Sequence, residues 1–577
     1  MSRVGRRADA MRKYFVSFGI FSFLQRETRA LDAKLIVLTI TSGIANAMNL
    51  AVINAAVDTL RIGKPPWQQL VWLGLSIGLF VYSLRYILYE STRITEAAIC
   101  SVRLRLADKI RRSDLLSLES IGEADIHARI GRDTAAISQA TRPLFAAAQG
   151  AVMILCTIGY IAIVSPVAML LCVILIVAGG AKYLNDKAAY ENGLQEASKR
   201  EDDLSESLSG LLRGFKELRI NKAKSDDVYG EFQSTATQVR EVRNQVMVLF
   251  SNNIIFIEMF FLLLLAAVVF VLPAFATSFS GSAVKIVAAI LFFFGPLTNV
   301  VSMVPVLAQV NVTVDNLQRL EAALDETLAS SAGQETVPHT DMSAFDSIRF
   351  EGVGFSYRDP DGNVSFQVGP IDVEVRRGEV LFLVGGNGSG KTTFLKLLTA
   401  LYWQAEGKRV VGEVEIGPSN IQSYRNLFSA IFSDFHLFER LHGSIDAPPE
   451  RVNALLASME LSQKTTFANG RFSELHLSTG QRKRLALVVA LVEDKPVYVF
   501  DEVAADQDAH FRDYFYETVV VELKRAGKTV VVVTHDDRYY HVADRVLHME
   551  YGKLKVLSPT AQPAKSRTRP PRKPKTT

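Results

Sequence analysis

The chain has 577 residues, 49% of them hydrophobic, and a mean hydropathy of +0.16. That length excludes a single compact domain and that hydropathy excludes an ordinary soluble protein, so part of the chain belongs in lipid. The formal charge is +4, but Lys565, Arg567, Arg569, Arg572, Lys573 and Lys575 lie in a tail without acids; removing those six charges leaves the body at −2, which excludes nucleic acid as a partner on charge grounds.

At the N-terminus, Arg3, Arg6, Arg7, Arg12 and Lys13 precede the apolar run Phe15 to Leu24, in the outline of a signal peptide. Gln25 and Arg26 follow with no small-residue cleavage site, so an uncleaved interfacial helix leading into the first span is expected instead. Leu35 to Val57 is long and apolar enough to cross the hydrocarbon core, and Pro66 to Leu84 is a second such stretch. Pro143 to Ala181 has nearly twice the spanning length and breaks at Ser165 and Pro166, which predicts two spans joined by a tight hairpin. Val246 to Leu272 and Ile286 to Val310 complete a predicted six. Cys156 and Cys172 fall inside these runs as small hydrophobes, and with Cys100 they form no metal or disulfide pattern.

Lysine and arginine crowd the N-terminus and the segments Arg93 to Arg142 and Lys182 to Arg243, whereas the turns at Ser165 and from Pro273 to Ser282 have neither. This asymmetry puts both termini in the cytoplasm, with Arg61 and Lys64 as a mild exception. The two basic segments carry apolar residues at helical spacing and are expected to prolong the spans as long cytoplasmic helices. Turns of contact with an attached domain are placed near Leu115 to Arg132 and Leu208 to Asn221; the alternative is that these faces pack on one another.

Within the spans, Glu258 lies about twelve residues into the fifth, about 18 Å along its rise and so near the midplane. An ionisable group there faces a cavity or a partner, with contact to cargo or a proton on one reading and a structural bond on the other. Asn46, Asn49 and Asn54, with Asn252, Asn253 and Asn299, offer either a polar lining or interhelical amide bonds. Arg85 is accounted for by snorkelling.

From Ile348 the texture changes to short β-prone runs alternating with helical patterns. The expected organisation is an all-α six-span transmembrane domain over residues 1–330, a linker at 331–347, an α/β phosphate-loop NTPase domain at 348–557 and a basic, Pro-rich disordered tail at 558–577. That tail is either a dispensable solvated end or a segment resting on anionic membrane lipids.

Gly385, Gly386, Asn387, Gly388, Ser389, Gly390, Lys391 and Thr392 follow the apolar run Val380 to Val384 and precede the helical pattern from Phe394, with Thr393 at the junction. This is a phosphate loop between strand and helix: glycines let backbone amides approach phosphates, Lys391 neutralises them, and Thr392 is a Mg²⁺ ligand. A second buried-strand pattern ends in Asp501, a further Mg²⁺ ligand, and Glu502, placed to polarise an attacking water. His535 follows the apolar run Thr529 to Thr534, where it can position the γ-phosphate or the water.

These segments, in order with Leu477-Ser478-Thr479-Gly480-Gln481 between them, resemble the ATP-binding cassette ATPases; with the six spans upstream they resemble an ABC exporter half-transporter. The resemblance implies that Tyr357 stacks on adenine. It also implies that Ser478, Thr479, Gly480 and Gln481 of one copy close over the ATP held by the other, hence a homodimer, and that 506–508 crosses between cassettes. The family's usual glutamine falls at Ser433, followed by Asp434, so Mg²⁺ ligation is expected from Asp434 or through a water held by Ser433.

The runs Ser433 to Phe438, Leu477 to Leu487 and Phe500 to Asp508 further resemble the bacterial cyclic-peptide exporters, which move pyoverdine-type siderophore precursors and syringomycin-type lipopeptides; Val503 and Ala509 depart from the tryptophan and proline expected there. The resemblance implies ATP-driven export of a modified, cyclic or non-ribosomal peptide across the bacterial inner membrane. Two other readings are a lipid or multidrug flippase and a non-transporting, ATP-gated or sensing membrane module.

Overall fold

The computed structural model describes residues 23, 26–27, 33–271, 283–330, 342–359 and 362–557. Most of the proposed N-terminal interfacial helix, the turn from Pro273 to Ser282, the greater part of the linker and the basic tail lie outside these residues. Those described divide into two compact units: one holds the residues up to Arg112 together with Ile121–Asp325, the other those from Glu326 on together with Ser113–Ser120.

The first unit is helical. Its long helices are α1 (Ala33–Arg61) and α2 (Trp67–Arg112), then, after the short α3 (Leu115–Ile121), α4 (Glu123–Ala128) and a π-helical turn at Arg129–Asp133, α5 (Thr134–Val164). They continue as α6 (Pro166–Arg213), the short α7 (Phe215–Ile220), α8 (Lys222–Ala266) and α9 (Ala283–Ser330). Among the described residues, six stretches are long and apolar enough to cross a membrane, at the places that hydropathy predicts. The hairpin between α5 and α6 forms because Ser165 Oγ accepts from the amide of Ala168 and Pro166 opens the helix, where a missing N–H costs nothing. α2, α6, α8 and α9 run well past their apolar stretches, so the basic segments do extend the spans as helices.

Small residues let these helices approach, as they must where lipid supplies no hydrophobic drive between helices. A Cβ on Gly43 would stand 2.7 Å from that of Val152, and one on Gly193 would stand 2.6 Å from Val246 Cγ2. Amides add specific bonds. Asn46 Nδ2 donates to Met153 Sδ at 3.2 Å and Asn54 Nδ2 to Tyr160 Oη at 3.0 Å, joining α1 to α5, while Ser76 donates to Asn49 across α1 and α2. Each such bond contributes about 0.6 kcal/mol. Asn46 and Asn49 are thus engaged in interhelical bonding. Glu258 is exposed on α8 beside the exposed Ile255, Met259 and Leu262.

The second unit is α/β. A four-stranded antiparallel sheet has the order β2 (Val364–Arg376), β1 (Ser347–Arg358), β4 (Glu406–Val411), β5 (Val414–Glu415). A six-stranded sheet has the order β12 (Lys553–Leu557), β11 (Arg545–Glu550), β3 (Val380–Val384), β10 (Thr529–Val533), β9 (Val497–Asp501), β6 (Phe428–Ile431), and all its pairs except β11 with β12 are parallel. Parallel central strands are covered on both faces, which is why they read as unbroken apolar runs. Phe382, Phe500 and Val532 face one core cluster; Leu383, Val499 and Val531 face the other. Phe382 and Phe500 are fully buried, so truncating either to alanine costs about 3–5 kcal/mol.

The segment Ser113–Ser120 packs within this second unit: Leu115 lies against its core, and Glu119 accepts from Lys396 Nζ at 2.8 Å and from Tyr402 Oη at 2.5 Å. Of the stretch Leu115 to Arg132 in which a contact turn is expected, Leu115–Ser120 belongs to this second unit and the residues from Ile121 onward to the first.

Candidate active site

Parallel pairing of β3, β10 and β9 aligns their carboxyl ends, with Val533 opposite both Leu383 and Asp501. Open α/β sheets bind ligands at that edge, and the chain concentrates its functional candidates there. The phosphate loop Gly385–Thr392 runs from β3 into α10 (Lys391–Leu398). Two positions require glycine. Gly385 has φ +152°, and a Cβ there would stand 2.2 Å from the carbonyl oxygen of Met549; Gly390 caps α10 at φ +105°.

Gly386, Asn387 and Gly388 are exposed on the loop, and Ser389 is buried with its hydroxyl unpaired. Lys391 is 7% exposed and donates to the carbonyls of Gly385 and Gly386 at 3.0 and 3.1 Å. Burial pulls its ammonium below the ordinary lysine value, against the opposing pull of Glu502 and Asp501. Its charge is thus held at the loop without a paired carboxylate, ready to meet phosphate.

Thr392 Oγ1 donates to Asp501 Oδ2 at 3.0 Å, bringing together the two expected metal ligands, one in the first turn of α10 and the other at the end of β9. Burial raises the Asp501 pKa above the ordinary carboxylate value, although Thr392 and the backbone of Ser433 bond to it and Lys391 lies near. A hydroxyl and one carboxylate fit Mg²⁺, which keeps waters and takes the rest of its octahedron from phosphates. Among the described residues, no group of three or more acidic, histidine or cysteine side chains is placed to hold a metal ion by itself. Ser433 reaches Asp501 through its backbone, and Asp434 is exposed with no bond to a described residue.

Glu502 departs from the strand at φ +53°, the left-handed region. Its Oε1 lies 3.0 Å from His535 Nε2. The histidine stands beyond Thr534, whose hydroxyl accepts from Tyr516 Oη at 2.7 Å and from the amide of Asp536 at 3.0 Å. Tyr357 is half-buried, packed edge-on against Phe355 and Tyr402, with its hydroxyl 3.3 Å from Thr393 Oγ1.

Ser478 caps α11 (Thr479–Glu493) in a capping box: its hydroxyl accepts from the amide of Gln481, and Gln481 Oε1 accepts from the amide of Ser478. Ser478 and Thr479 are exposed, and among the described residues no hydrogen bond joins 478–481 to the phosphate loop. Sequence reasoning missed what ties this helix to the carboxylates. Lys483 Nζ donates to the backbone oxygen of Glu502 at 2.9 Å and to Asp506 at 2.7 Å, and Gln507 Nε2 donates to the carbonyl of Gly480 at 2.9 Å. Arg484 adds Asp508 at 2.5 Å. The basic run Arg482-Lys483-Arg484 was the available signal, since three cations opening a helix oppose its dipole unless they have partners.

Residues 368–505 match the family model described as ABC transporter. The chain is 30% identical over 532 residues to the ATP-binding protein SyrD of Pseudomonas syringae pv. syringae, covering 89% of this chain and 91% of that protein. This chain belongs to the ABC transporters. Another relative, an ATP-dependent lipid A-core flippase of Chromohalobacter salexigens, is 30% identical to this ABC transporter over 36% of the chain and 37% of its own length. The solved structure of a bacterial Atm1-family ABC exporter with ATP bound has the same fold, with a TM-score of 0.69 at 18% identity over 91% of this chain and 95% of that one. The resemblance drawn from the motifs is borne out, together with the fold class: six apolar helices followed by an ATP-binding cassette.

Proposed function

We propose that two copies of this chain form an ATP-driven exporter in a bacterial inner membrane, with both termini cytoplasmic, and that its cargo is a modified, cyclic or non-ribosomal peptide. The observation that carries the peptide reading is the extent of the similarity to SyrD, which spans both halves of the chain, whereas the flippase relative matches little more than a third of it.

The geometry supports hydrolysis. Lys391 and the amides of the phosphate loop hold the β- and γ-phosphates of ATP, with Tyr357 offering its ring to adenine. Thr392 and Asp501 would hold Mg²⁺, with Asp434 or a water on Ser433 as a further donor; bound there, the ion supplies charge neutralisation on the phosphates. Glu502 polarises the attacking water and His535 fixes the carboxylate's position, 3.0 Å away.

The Ser478 to Gln481 surface, exposed at Ser478 and Thr479, is a helix N-terminus with a hydroxyl, suited to the γ-phosphate bound by the other copy. Lys483 then links that surface to Glu502. A second copy also gives the apolar end of α6 and α7 something to bury, since Leu212, Phe215 and Ile220 are exposed in one chain.

The test is ATP-dependent uptake of labelled cyclic peptides into inverted membrane vesicles, with Glu502→Gln as the inactive control. Uptake in the wild type alone supports export. Lipid translocation without peptide uptake contradicts it.

A further inference from the structure

A cavity of about 400 Å³ in the helical unit lies between the π-helical turn at Arg129–Asp133 and helices α6, α8 and α9. It sits where the apolar runs end, beside Val246 at the start of one and Gln309 near the close of another. That volume falls in the range of sites for small ligands.

Its charges are nearly all spent. Arg132 pairs with Asp202 at 2.9 Å, Arg243 with Glu201 at 2.8 Å, and the neighbouring Arg129 with Asp125 at 2.9 Å. Asp133 is ion-paired as well, but only loosely. It is 5% exposed and lines the cavity; Arg129 and Arg132 stand 3.6 and 3.8 Å from its oxygens, beyond hydrogen-bond distance, and its Oδ2 accepts no hydrogen bond. A buried carboxylate oxygen without a donor is costly and calls for one. Asn244, Gln309 and Asn316 add amides to the same wall, and Leu194, Met247 and Val312 supply apolar surface.

We propose that this cavity is a cargo pocket that takes a peptide by its primary ammonium group, with Asp133 as the acceptor and the three amides pairing with peptide groups. The proposal rests on the export reading and deepens it. A phospholipid headgroup would also bring an ammonium group, but its phosphate would need a cation, and both arginines of the wall are already paired.

The probe is a labelled cyclic hexapeptide of leucine and glycine with one lysine, and its Nε-acetylated form, titrated against full-length protein in phosphatidylglycerol nanodiscs. The amine is expected to bind about tenfold or more tightly than the acetylated form, as befits a charge-assisted bond. Asp133→Asn should erase that preference, and Gln309→Ala, on another helix, should weaken both forms about threefold. The second variant keeps the test informative if the first fails to fold.

No binding to the wild type, equal binding of the two forms, a preference that survives Asp133→Asn, or unchanged affinity in Gln309→Ala would each overturn the pocket. So would loss of peptide binding when phosphatidylethanolamine is added, which would assign the cavity to lipid. Uptake of the probe into inverted vesicles without dependence on Asp133 would keep export and remove the pocket. Binding that depends on Asp133 without ATP-driven uptake would keep the pocket and remove export.

Discussion

Tyr402 Oη donates to Glu119 Oε2 at 2.5 Å, and the same tyrosine ring stacks on Phe355 and meets Tyr357 edge-on. Burial, more than its bonded neighbours, raises the Tyr402 phenol far above the ordinary tyrosine value, so it stays protonated as a donor. Glu119 belongs to the short segment that follows α2, and Tyr357 is the residue assigned to adenine. A chain of contacts therefore runs, within the second unit, from Tyr357 through Tyr402 to Glu119. Tyr402→Phe should leave basal ATP hydrolysis within about threefold, since only one hydrogen bond is lost, while its stimulation by cargo disappears. Retained stimulation would remove this contact from coupling.

Glu502 and His535 are expected to act in turnover. Glu502→Gln should lower steady-state hydrolysis about 100-fold or more while leaving ATP binding intact, because the amide cannot accept the proton of the attacking water. Comparing nucleotide affinity with hydrolysis rate on the same preparation checks this. Loss of both together would point to misfolding, and an unchanged rate would take Glu502 out of its role.

Lys391→Ala should instead weaken nucleotide binding itself, by about tenfold or more, because a charge-assisted contact to phosphate is removed. Fluorescent-nucleotide titration separates this from the effect at Glu502.

Asp501 gives a pH-dependent prediction. Its folded pKa is raised by burial, so the folded protein binds its proton over a range where the unfolded chain, ionising at the ordinary 3.8, has lost it. Stability from this group therefore falls as pH rises from that ordinary value through the raised one, and the ionised form is penalised at neutral pH. Asp501→Asn should raise the melting temperature of nucleotide-free protein near neutral pH, and the gain should shrink as the medium is acidified. The same variant should lose the Mg²⁺-dependent part of stabilisation by ATP. A lower melting temperature at neutral pH would mean that the bond from Thr392 outweighs burial.

Glu258→Gln tests whether charge matters on the exposed face of α8. Equal peptide uptake and equal cargo-stimulated hydrolysis would assign Glu258 a structural role. A loss of about tenfold in uptake with basal hydrolysis retained would place it on the cargo path.

Much of this arrangement was legible in the sequence because it is local. The glycine loop, the acidic pair at the end of an apolar run and the histidine after another are each contiguous, and strands buried on both faces announce themselves as apolar runs. The spans were legible for the same reason, through length and hydropathy. What could not be read depends on pairing across distance. Glu119 meets Tyr402 across 283 residues, and Asp133 is buried by helices that begin far along the chain. Lys483 looked like one cation in a basic run until the fold placed it under Glu502. Asn46 and Asn49 carried equal weight as lining or as bonds, and only the positions of Met153 and Ser76 assign their contacts.

The central claim is that two chains share Mg-ATP at a common seam and that hydrolysis there drives membrane helices. Mass measurement of the purified protein in nanodiscs, combined with its ATPase rate, tests it most directly. Particles of two chains are expected, with Mg-ATP turnover that Glu502→Gln abolishes. Single-chain particles with no turnover would contradict it.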